Sequence, residues 1–335
     1  MNEDTRTLMV TIVCLAFNHE SYIRNCLDGF VMQKTNFRFE AFVHDDASTD
    51  GTAAVIREYA EKYPDIIKPY YETENQYSKG LTSFSRIINE HIHGKYVAFC
   101  EGDDYWISSN KLQLQVDYLQ NNPECGMCYT DFNILFQNKN IEWKSVFKNR
   151  PSTFPSQFES LDKWILSKKY VGPMTWLAKK DLYLSTPKLE SLDGTFVQYA
   201  HYYAFSKIHC IKEETTAVYR IHDSSVTHGE SYYLQYKRQR GLFEIQMKLA
   251  DLYKEQLTNY NLLKNNIRDD YYRKLFLIIY NNDREEVTKA MEWMRGKMTY
   301  KQKIIFIITR TKLGRVLLFS SALSKIRRKP SDILE

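Results

Sequence analysis

The sequence predicts an α/β protein with a mixed, mostly parallel sheet flanked by helices and a helical C-terminal region. Three observations carry this. Over the first 130 residues, short apolar runs alternate with longer amphipathic segments. Polar clusters follow several of the apolar runs, as at the strand ends of an open sheet. Beyond Tyr232 the strand-like runs give way to helical spacing. Of the 335 residues 43% are hydrophobic and 26% charged, enough apolar material for a packed core.

Taken in order, Leu8–Phe17 is apolar apart from Thr11 and reads as a strand buried on both faces. His19–Gln33 carries Tyr22, Ile23, Cys26, Leu27, Phe30 and Val31 at helical spacing. Strand Phe37–His44, helix Gly51–Lys62, strand Ile66–Tyr71, helix Thr82–Ile92 and strand Tyr96–Cys100 continue the alternation, and Lys111–Gln120 is the next helix. Such alternation implies βαβ units and parallel pairing. After residue 125 the pattern loosens. Cys125–Phe136 and Gly172–Lys179 read as strands, a helix runs from about Phe196 to Ser206, and two strands follow at Lys207–Ile211 and Thr215–Ile221. Tyr232–Arg295 is mostly helical, and no internal repeat or low-complexity segment is present.

The net charge of +5 is unevenly held. Arg295–Lys329 contains eleven basic residues and no acidic one, so the remainder of the chain is net acidic and gives no support to nucleic-acid binding. Residues 298–329 mix apolar runs with this charge and read as a basic amphipathic tail, either at an anionic membrane surface or packed on the body with a solvated face. The six cysteines lie mostly inside apolar runs. Cys125-Gly-Met-Cys128 has metal-like spacing but no second Cys/His pair, which favours reduced, buried thiols. Reduced thiols and an acidic N-terminus without an apolar signal region lead to an expected cytoplasmic location. No apolar run reaches the ~18 residues of a spanning helix.

Three polar clusters fall at predicted strand ends and are expected to converge on one cleft: Asn18-His19-Glu20, Asp45-Asp46 and Glu101-Gly102-Asp103-Asp104. In Asp45–Thr52, Ser48 or Asp50 can cap the following helix and Gly51 permits a tight entry. Asp45 and Asp46 are not explained by capping. Adjacent carboxylates repel unless donors or a cation engage them, and a base N–H or a ribose hydroxyl would do so. Three carboxylates within Glu101–Asp104, after an apolar strand and before Tyr105-Trp106, suit a hard divalent cation such as Mg²⁺ or Mn²⁺ that bridges carboxylates to phosphates.

With these clusters in order on an alternating frame, the chain resembles the family 2 glycosyltransferases of the GT-A (Rossmann-like) fold, in particular bacterial enzymes of capsular or surface polysaccharide synthesis. Val10–Asn18 (VTIVCLAFN) resembles the family's opening strand, Val43–Thr52 (VHDDASTDGT) its VDDGSTDGT segment, and Gly94–Trp106 (GKYVAFCEGDDYW) its G-x-Y…D-x-D-D segment. Asn110-Lys111-Leu112 also matches. The resemblance covers roughly residues 8–225. It implies a glycosyltransferase domain over 1–228, with 1–125 binding the nucleotide sugar and 126–228 the acceptor, followed by the helical region 229–335.

The resemblance also implies roles. Ala16, Phe17, Asn18 and Glu20 line the base pocket, and Asp46 with Asp45 holds the base, expected to be uracil. Arg86 lies near the nucleotide. Asp103 touches ribose and metal, and Asp104 ligates the metal that clamps the diphosphate; Glu101 stands where the family usually has Asp. In Tyr219-Arg220-Ile221-His222, the histidine contacts the diphosphate or joins the metal shell. Asp193 is the expected general base, with helix capping and Glu190 as the alternatives. Trp106 and Trp176 are candidates for sugar stacking or for core packing. The implied reaction is inverting and metal-dependent, with a UDP-linked donor and a lipid-linked glycan acceptor. A sugar nucleotidyltransferase would need a Gly-rich phosphate loop after the first strand, and Phe17-Asn18-His19-Glu20 is not one. A non-catalytic carbohydrate-binding protein of the same fold is the other alternative.

Overall fold

The computed structural model describes residues 6–79, 81–154, 160–167, 171–189, 194–222 and 232–280. The chain opens with β1 (Leu8–Ala16), α1 (Ile23–Val31), β2 (Arg38–Asp45), α2 (Thr52–Lys62), β3 (Ile67–Tyr71), α3 (Leu81–Glu90), β4 (Tyr96–Phe99), β5 (Tyr105–Trp106) and α4 (Lys111–Asn121). It continues with β6 (Cys125–Phe136), β7 (Ile141–Trp143), α5 (Val146–Asn149), α6 (Leu161–Ser167), β8 (Trp176–Lys179), α7 (Lys180–Leu184), α8 (Gly194–Phe205) and β9 (Lys207–Ile221). Helices α9 (Tyr232–Leu252) and α10 (Tyr260–Tyr280) follow. The residues fall in two compact units: Met1–Gly229 with Lys248–Tyr260, and a second that takes Glu230–Met247 and resumes at Asn261.

Among the described residues the strands form one sheet in the order β3-β2-β1-β4-β8-β6-β9-β5, with β7 paired to β6. β3, β2, β1 and β4 run parallel, as the βαβ alternation requires. The buried apolar runs decide this: Val10, Ile12, Cys14, Ala41, Val43, Val97 and Ala98 are all fully enclosed. Helix α1 buries Ile23, Cys26, Leu27 and Phe30, the spacing of one helical face. It begins later than the expected His19, because Asn18 takes a left-handed φ of 55° and His19–Tyr22 form a turn instead.

The second half departs from simple alternation. β8 enters antiparallel between β4 and β6, and β6 pairs parallel with β9. The expected strand Gly172–Lys179 starts only at Trp176, since Pro173–Thr175 form a 3₁₀ turn whose Thr175 hydroxyl donates to Gly172 O at 2.7 Å. The two strands expected at Lys207–Ile211 and Thr215–Ile221 are one continuous β9, whose register against β6 shifts around Asp131. The two-residue β5 pairs with Ala217 and Val218 and so ties the segment after Asp104 to β9. Trp106 and Trp176 are both core residues, 2% and 1% exposed, which rules out the sugar-stacking alternative for each.

Candidate functional site

All three polar clusters lie at one edge of the sheet. Ala16 and Asp45, the last residues of β1 and β2, are direct partners in the parallel register, and the Asp46 N–H donates to Ala16 O at 2.9 Å. The loop after β1 is laced to the entry of α2. Asn18 N–H donates to Ser48 Oγ (2.9 Å), Thr49 N–H to Asn18 Oδ1 (2.8 Å), and His19 N–H to Thr52 Oγ1 (2.8 Å). Glu20 N–H donates to Asp50 Oδ2, while Gly51 N–H donates to Glu20 Oε2 at 3.0 Å. A Cβ on Gly51 would stand 2.3 Å from Glu20 Oε1, so glycine is needed for the carboxylate to reach the helix entry. Glu20, expected in the base pocket, therefore directs its carboxylate to the α2 N-terminus, where the helix dipole favours an anion. Burial pushes the Asp50 carboxyl up, but hydrogen bonds from Thr52 and the Glu20 amide hold it below its ordinary value.

Ala47 sits in this lacing at φ 60°, a left-handed conformation that costs a Cβ-bearing residue roughly 1–2 kcal/mol. Ala47→Gly removes that strain but gives the unfolded chain more freedom. The expected net gain is about 0.5–1 kcal/mol, read as a higher urea midpoint at unchanged m-value.

The adjacent aspartates are deployed differently. Both Asp46 carboxylate oxygens accept backbone N–H groups, from Gln76 at 2.6 Å and Tyr77 at 3.0 Å, so Asp46 orders the turn after β3. Asp45 Oδ2 receives only a long contact from Ser48 N–H at 3.4 Å, and its Oδ1 is buried with no hydrogen-bond partner. Asp45 thus keeps acceptor capacity for a ligand. Phe17 (43% exposed) and Tyr71 (36% exposed) offer aromatic surface at the ends of β1 and β3.

On the other side of β1, Gly102 N–H donates to Leu15 O at 2.8 Å and carries the acidic segment alongside that strand. A Cβ on Gly102 would come within 2.7 Å of His19 Nδ1 and 2.9 Å of Ile23 Cδ1, so only glycine lets the segment lie this close to the β1 loop. Asp103 Oδ2 and His222 Nε2 share a hydrogen bond of 3.1 Å, whereas Asp103 Oδ1 is buried and unpartnered. Burial raises the Asp103 carboxyl, but the His222 hydrogen bond and the nearby His19 bring it below its ordinary value. His19 Nδ1 also lacks a partner; burial lowers its pKa, with Asp103 opposing.

Asp104, expected as a metal ligand, is 2% exposed and its Oδ1 accepts the Arg220 backbone N–H at 2.8 Å. Burial, with Asp103 adding to it, holds its carboxyl well above the usual carboxylate range. The side chain of Glu101 is exposed. Arg86 is exposed on α3 with Glu90 3.9 Å away. Asp193 and Glu190 lie outside the described residues, as does the tail 298–329. All six cysteines are free and buried.

Two residues belong to the cluster to which sequence alone assigns no separate role. His19 faces Gly102, and Arg220 reaches Asp103 O from β9. The signals were present: His19 sits inside the first polar cluster, and Arg220 inside Tyr-Arg-Ile-His. Among the described residues no set of three or more His, Cys, Asp or Glu side chains is gathered for a metal. Asp103 with His222 nevertheless fits a cation held in part by a ligand. Such ions are bound through one or two protein groups plus substrate phosphates, and the unpartnered Asp103 oxygen is a ready acceptor.

Residues 11–184, just over half of the chain, match the profile of glycosyl transferase family 2. An uncharacterized protein of Mycobacterium tuberculosis is 39% identical over 129 residues, 38% of this chain and 36% of that one. The putative teichuronic acid biosynthesis glycosyltransferase TuaG of Bacillus subtilis is 28% identical over 39% of this chain and 49% of its own length. The glucosyltransferase WfgD of Escherichia coli, named for transfer from UDP-Glc to α-D-GlcNAc-diphosphoundecaprenol, is 26% identical over 39% of this chain and 48% of its own. These matches thus span half or less of the curated relatives. Among solved structures, S. aureus TarS 1-349 with UDP superposes at a TM-score of 0.54 and 16% identity, covering 90% of this chain and 79% of that one. The mannosyltransferase PcManGT of Pyrobaculum calidifontis with GDP-Man and Mn²⁺ gives 0.52 at 16% identity, covering 93% and 84%. At these identities the likeness is one of fold.

Proposed function

The chain belongs to glycosyl transferase family 2 and has the GT-A fold, and from that premise we propose that it transfers a sugar from a nucleoside-diphosphate donor to a glycan acceptor in bacterial surface polysaccharide synthesis. One observation supports the donor site above others. Asp45 Oδ1, at the end of β2, and Asp103 Oδ1, beyond the end of β4, are both buried and without partners. Buried carboxylate oxygens are costly unless satisfied, so a ligand with an N–H or hydroxyl at one end and a cation-bound diphosphate at the other would relieve both.

In this reading Asp45 accepts from the base of a UDP-type donor, with Ala16, Phe17 and Asn18 forming the adjoining wall. Asp46 and Glu20 act indirectly, by fixing the turn after β3 and the entry of α2. Asp103 and His222 would hold a divalent cation, Mn²⁺ or Mg²⁺, which neutralises the departing diphosphate. Asp104 supports them from beneath through Arg220. The acceptor hydroxyl must lose its proton as it attacks the anomeric carbon, and Asp193 is the proposed base. A single displacement with one base inverts the anomeric configuration. The WfgD name supports a lipid-linked acceptor. Among the described residues no helix is long and apolar enough to cross a membrane. Residues 298–329 are proposed to bring the enzyme to the cytoplasmic membrane surface.

A thermal-shift panel of nucleoside diphosphates with and without Mn²⁺ tests the donor site. The unfolding midpoint should rise for one base, and further with the cation; no shift with any nucleotide would overturn the reading. For the base, Asp193→Asn is expected to remove transfer while the nucleotide-induced shift stays unchanged. Normal transfer by that variant, together with loss in Glu190→Gln, would move the role to Glu190.

A further inference from the structure

Arg220 is 6% exposed, and two of its hydrogen bonds go to the acidic segment. Its backbone N–H donates to Asp104 Oδ1 at 2.8 Å, and its Nε–H donates to the carbonyl oxygen of Asp103 at 2.8 Å. The two remaining nitrogens reach Gln137 Oε1 at 2.5 Å and Asn25 Oδ1 at 3.2 Å. The guanidinium carbon lies 4.9 Å from the Tyr22 ring centre and 5.0 Å from that of Tyr105, over both aromatic rings. Tyr22 in turn packs against the His222 ring at 4.6 Å. One side chain therefore joins α1, the acidic segment, the end of β6 and β9.

We propose that Arg220 is a positioning residue that fixes Asp103 and His222 as a preformed half-site for the cation, and that it touches neither the cation nor the donor. The chemistry asks for such a group. Glu101, Asp103 and Asp104 gather three carboxyl groups within four residues, a like-charged stretch that a counter-charge would steady. A guanidinium bound to the backbone carbonyl of Asp103 supplies that charge without competing for the Asp103 carboxylate oxygens. It leaves Oδ1 unpartnered and Oδ2 on His222. Lysine cannot replace it: a single ammonium has no planar fork to span Asp103 O, Gln137 and Asn25 at once, nor a flat face for the two tyrosines.

This inference rests on the proposed donor site, and its test separates the two. UDP binding is measured by thermal shift and calorimetry, without cation and across a Mn²⁺ titration, for the wild type, Arg220→Lys and the milder Gln137→Ala. Wild type should bind UDP with a Mn²⁺-dependent gain. Arg220→Lys should keep cation-free UDP binding within about twofold, because Asp45 is untouched. Its half-saturating Mn²⁺ concentration should rise about 10–100-fold, the usual scale for losing a group behind a metal ligand. Gln137→Ala should shift it in the same direction by less. A general structural role would lower the unfolding temperature of Arg220→Lys yet leave its Mn²⁺ half-point at the wild-type value, and that result would overturn the proposal. If wild type itself shows no UDP binding, the donor-site reading fails instead.

Discussion

Asp103→Asn is expected to lower kcat at least ~10³-fold and to remove the Mn²⁺-dependent part of nucleotide binding, while cation-free nucleotide binding survives. The amide keeps the shape of the carboxylate but not its charge, so a divalent cation held by Asp103 and His222 would lose its protein anion. Metal stabilisation of a leaving diphosphate contributes several kcal/mol, and about 4 kcal/mol corresponds to ~10³-fold in rate. Asp104→Asn supplies the contrast. Asp104 works through its Oδ1, which accepts the Arg220 N–H, and burial already disfavours its charged form. An asparagine Oδ1 can accept the same hydrogen bond, so its loss of rate should be at least tenfold smaller than that of Asp103→Asn. Equal losses would show that Asp104 ligates the cation directly, as the motif resemblance implies. Single-turnover assays at saturating donor, paired with a Mn²⁺ titration of each variant, make the comparison.

The contrast between these neighbours marks how far a sequence can be read. The parallel half of the sheet was legible because a strand buried on both faces is mostly apolar, as Leu8–Ala16 (Thr11 apart) and Tyr96–Phe99 are. Helix α1 was legible from Ile23, Cys26, Leu27 and Phe30 on one face. From these it followed that polar residues after the strands share an edge, and the register of Ala16 with Asp45 bears that out. A strand at β8 was legible, but its later start and its antiparallel place between β4 and β6 were not, and the two-residue β5 was not legible at all. Two residues hold no periodicity, and both placements are set by partners far along the chain.

Within the site the limit is of another kind. Residue type and position at a strand end identify carboxylates that need partners, but not which partner each finds. Asp46 is satisfied by amides 30 and 31 residues ahead, and Glu20 by one 31 residues ahead. Asp45, with the same side chain as Asp46, is left with a buried oxygen unpaired. Arg220 reaches the acidic segment across 117 residues. Such contacts are fixed by tertiary packing, and local sequence carries no trace of them beyond the presence of a suitable donor.

The buried amine of Lys111 leads to the other large effect, on stability. Lys111 is completely enclosed, with Nζ donating to Gln115 Oε1 at 2.6 Å and to Trp176 O at 3.5 Å, and lying 4.3 Å from the Trp106 ring centre. Burial lowers its pKa to about 7, with only the neighbouring thiols Cys100 and Cys128 opposing. The unfolded chain has an ordinary lysine that titrates near 10.5. Between these values the unfolded state holds one more proton than the folded state, so this group makes stability rise with pH from about 7 to 10.5, with no slope on either side. Each pH unit in that window is worth about 1.36 kcal/mol, so between pH 7 and 9.5 the swing is roughly 3 kcal/mol. Lys111→Met keeps the volume and removes the titration, but leaves Gln115 Oε1 without its donor at about 1–3 kcal/mol. The variant should therefore equal or exceed the wild type in stability at pH 7 and fall below it at pH 9.5. Urea unfolding of both proteins at the two pH values reads the difference, in which the titration of other groups cancels. Parallel stability curves would mean that Lys111 carries an ordinary pKa in the folded protein, stabilised as a cation by Trp106 and the carbonyl of Trp176.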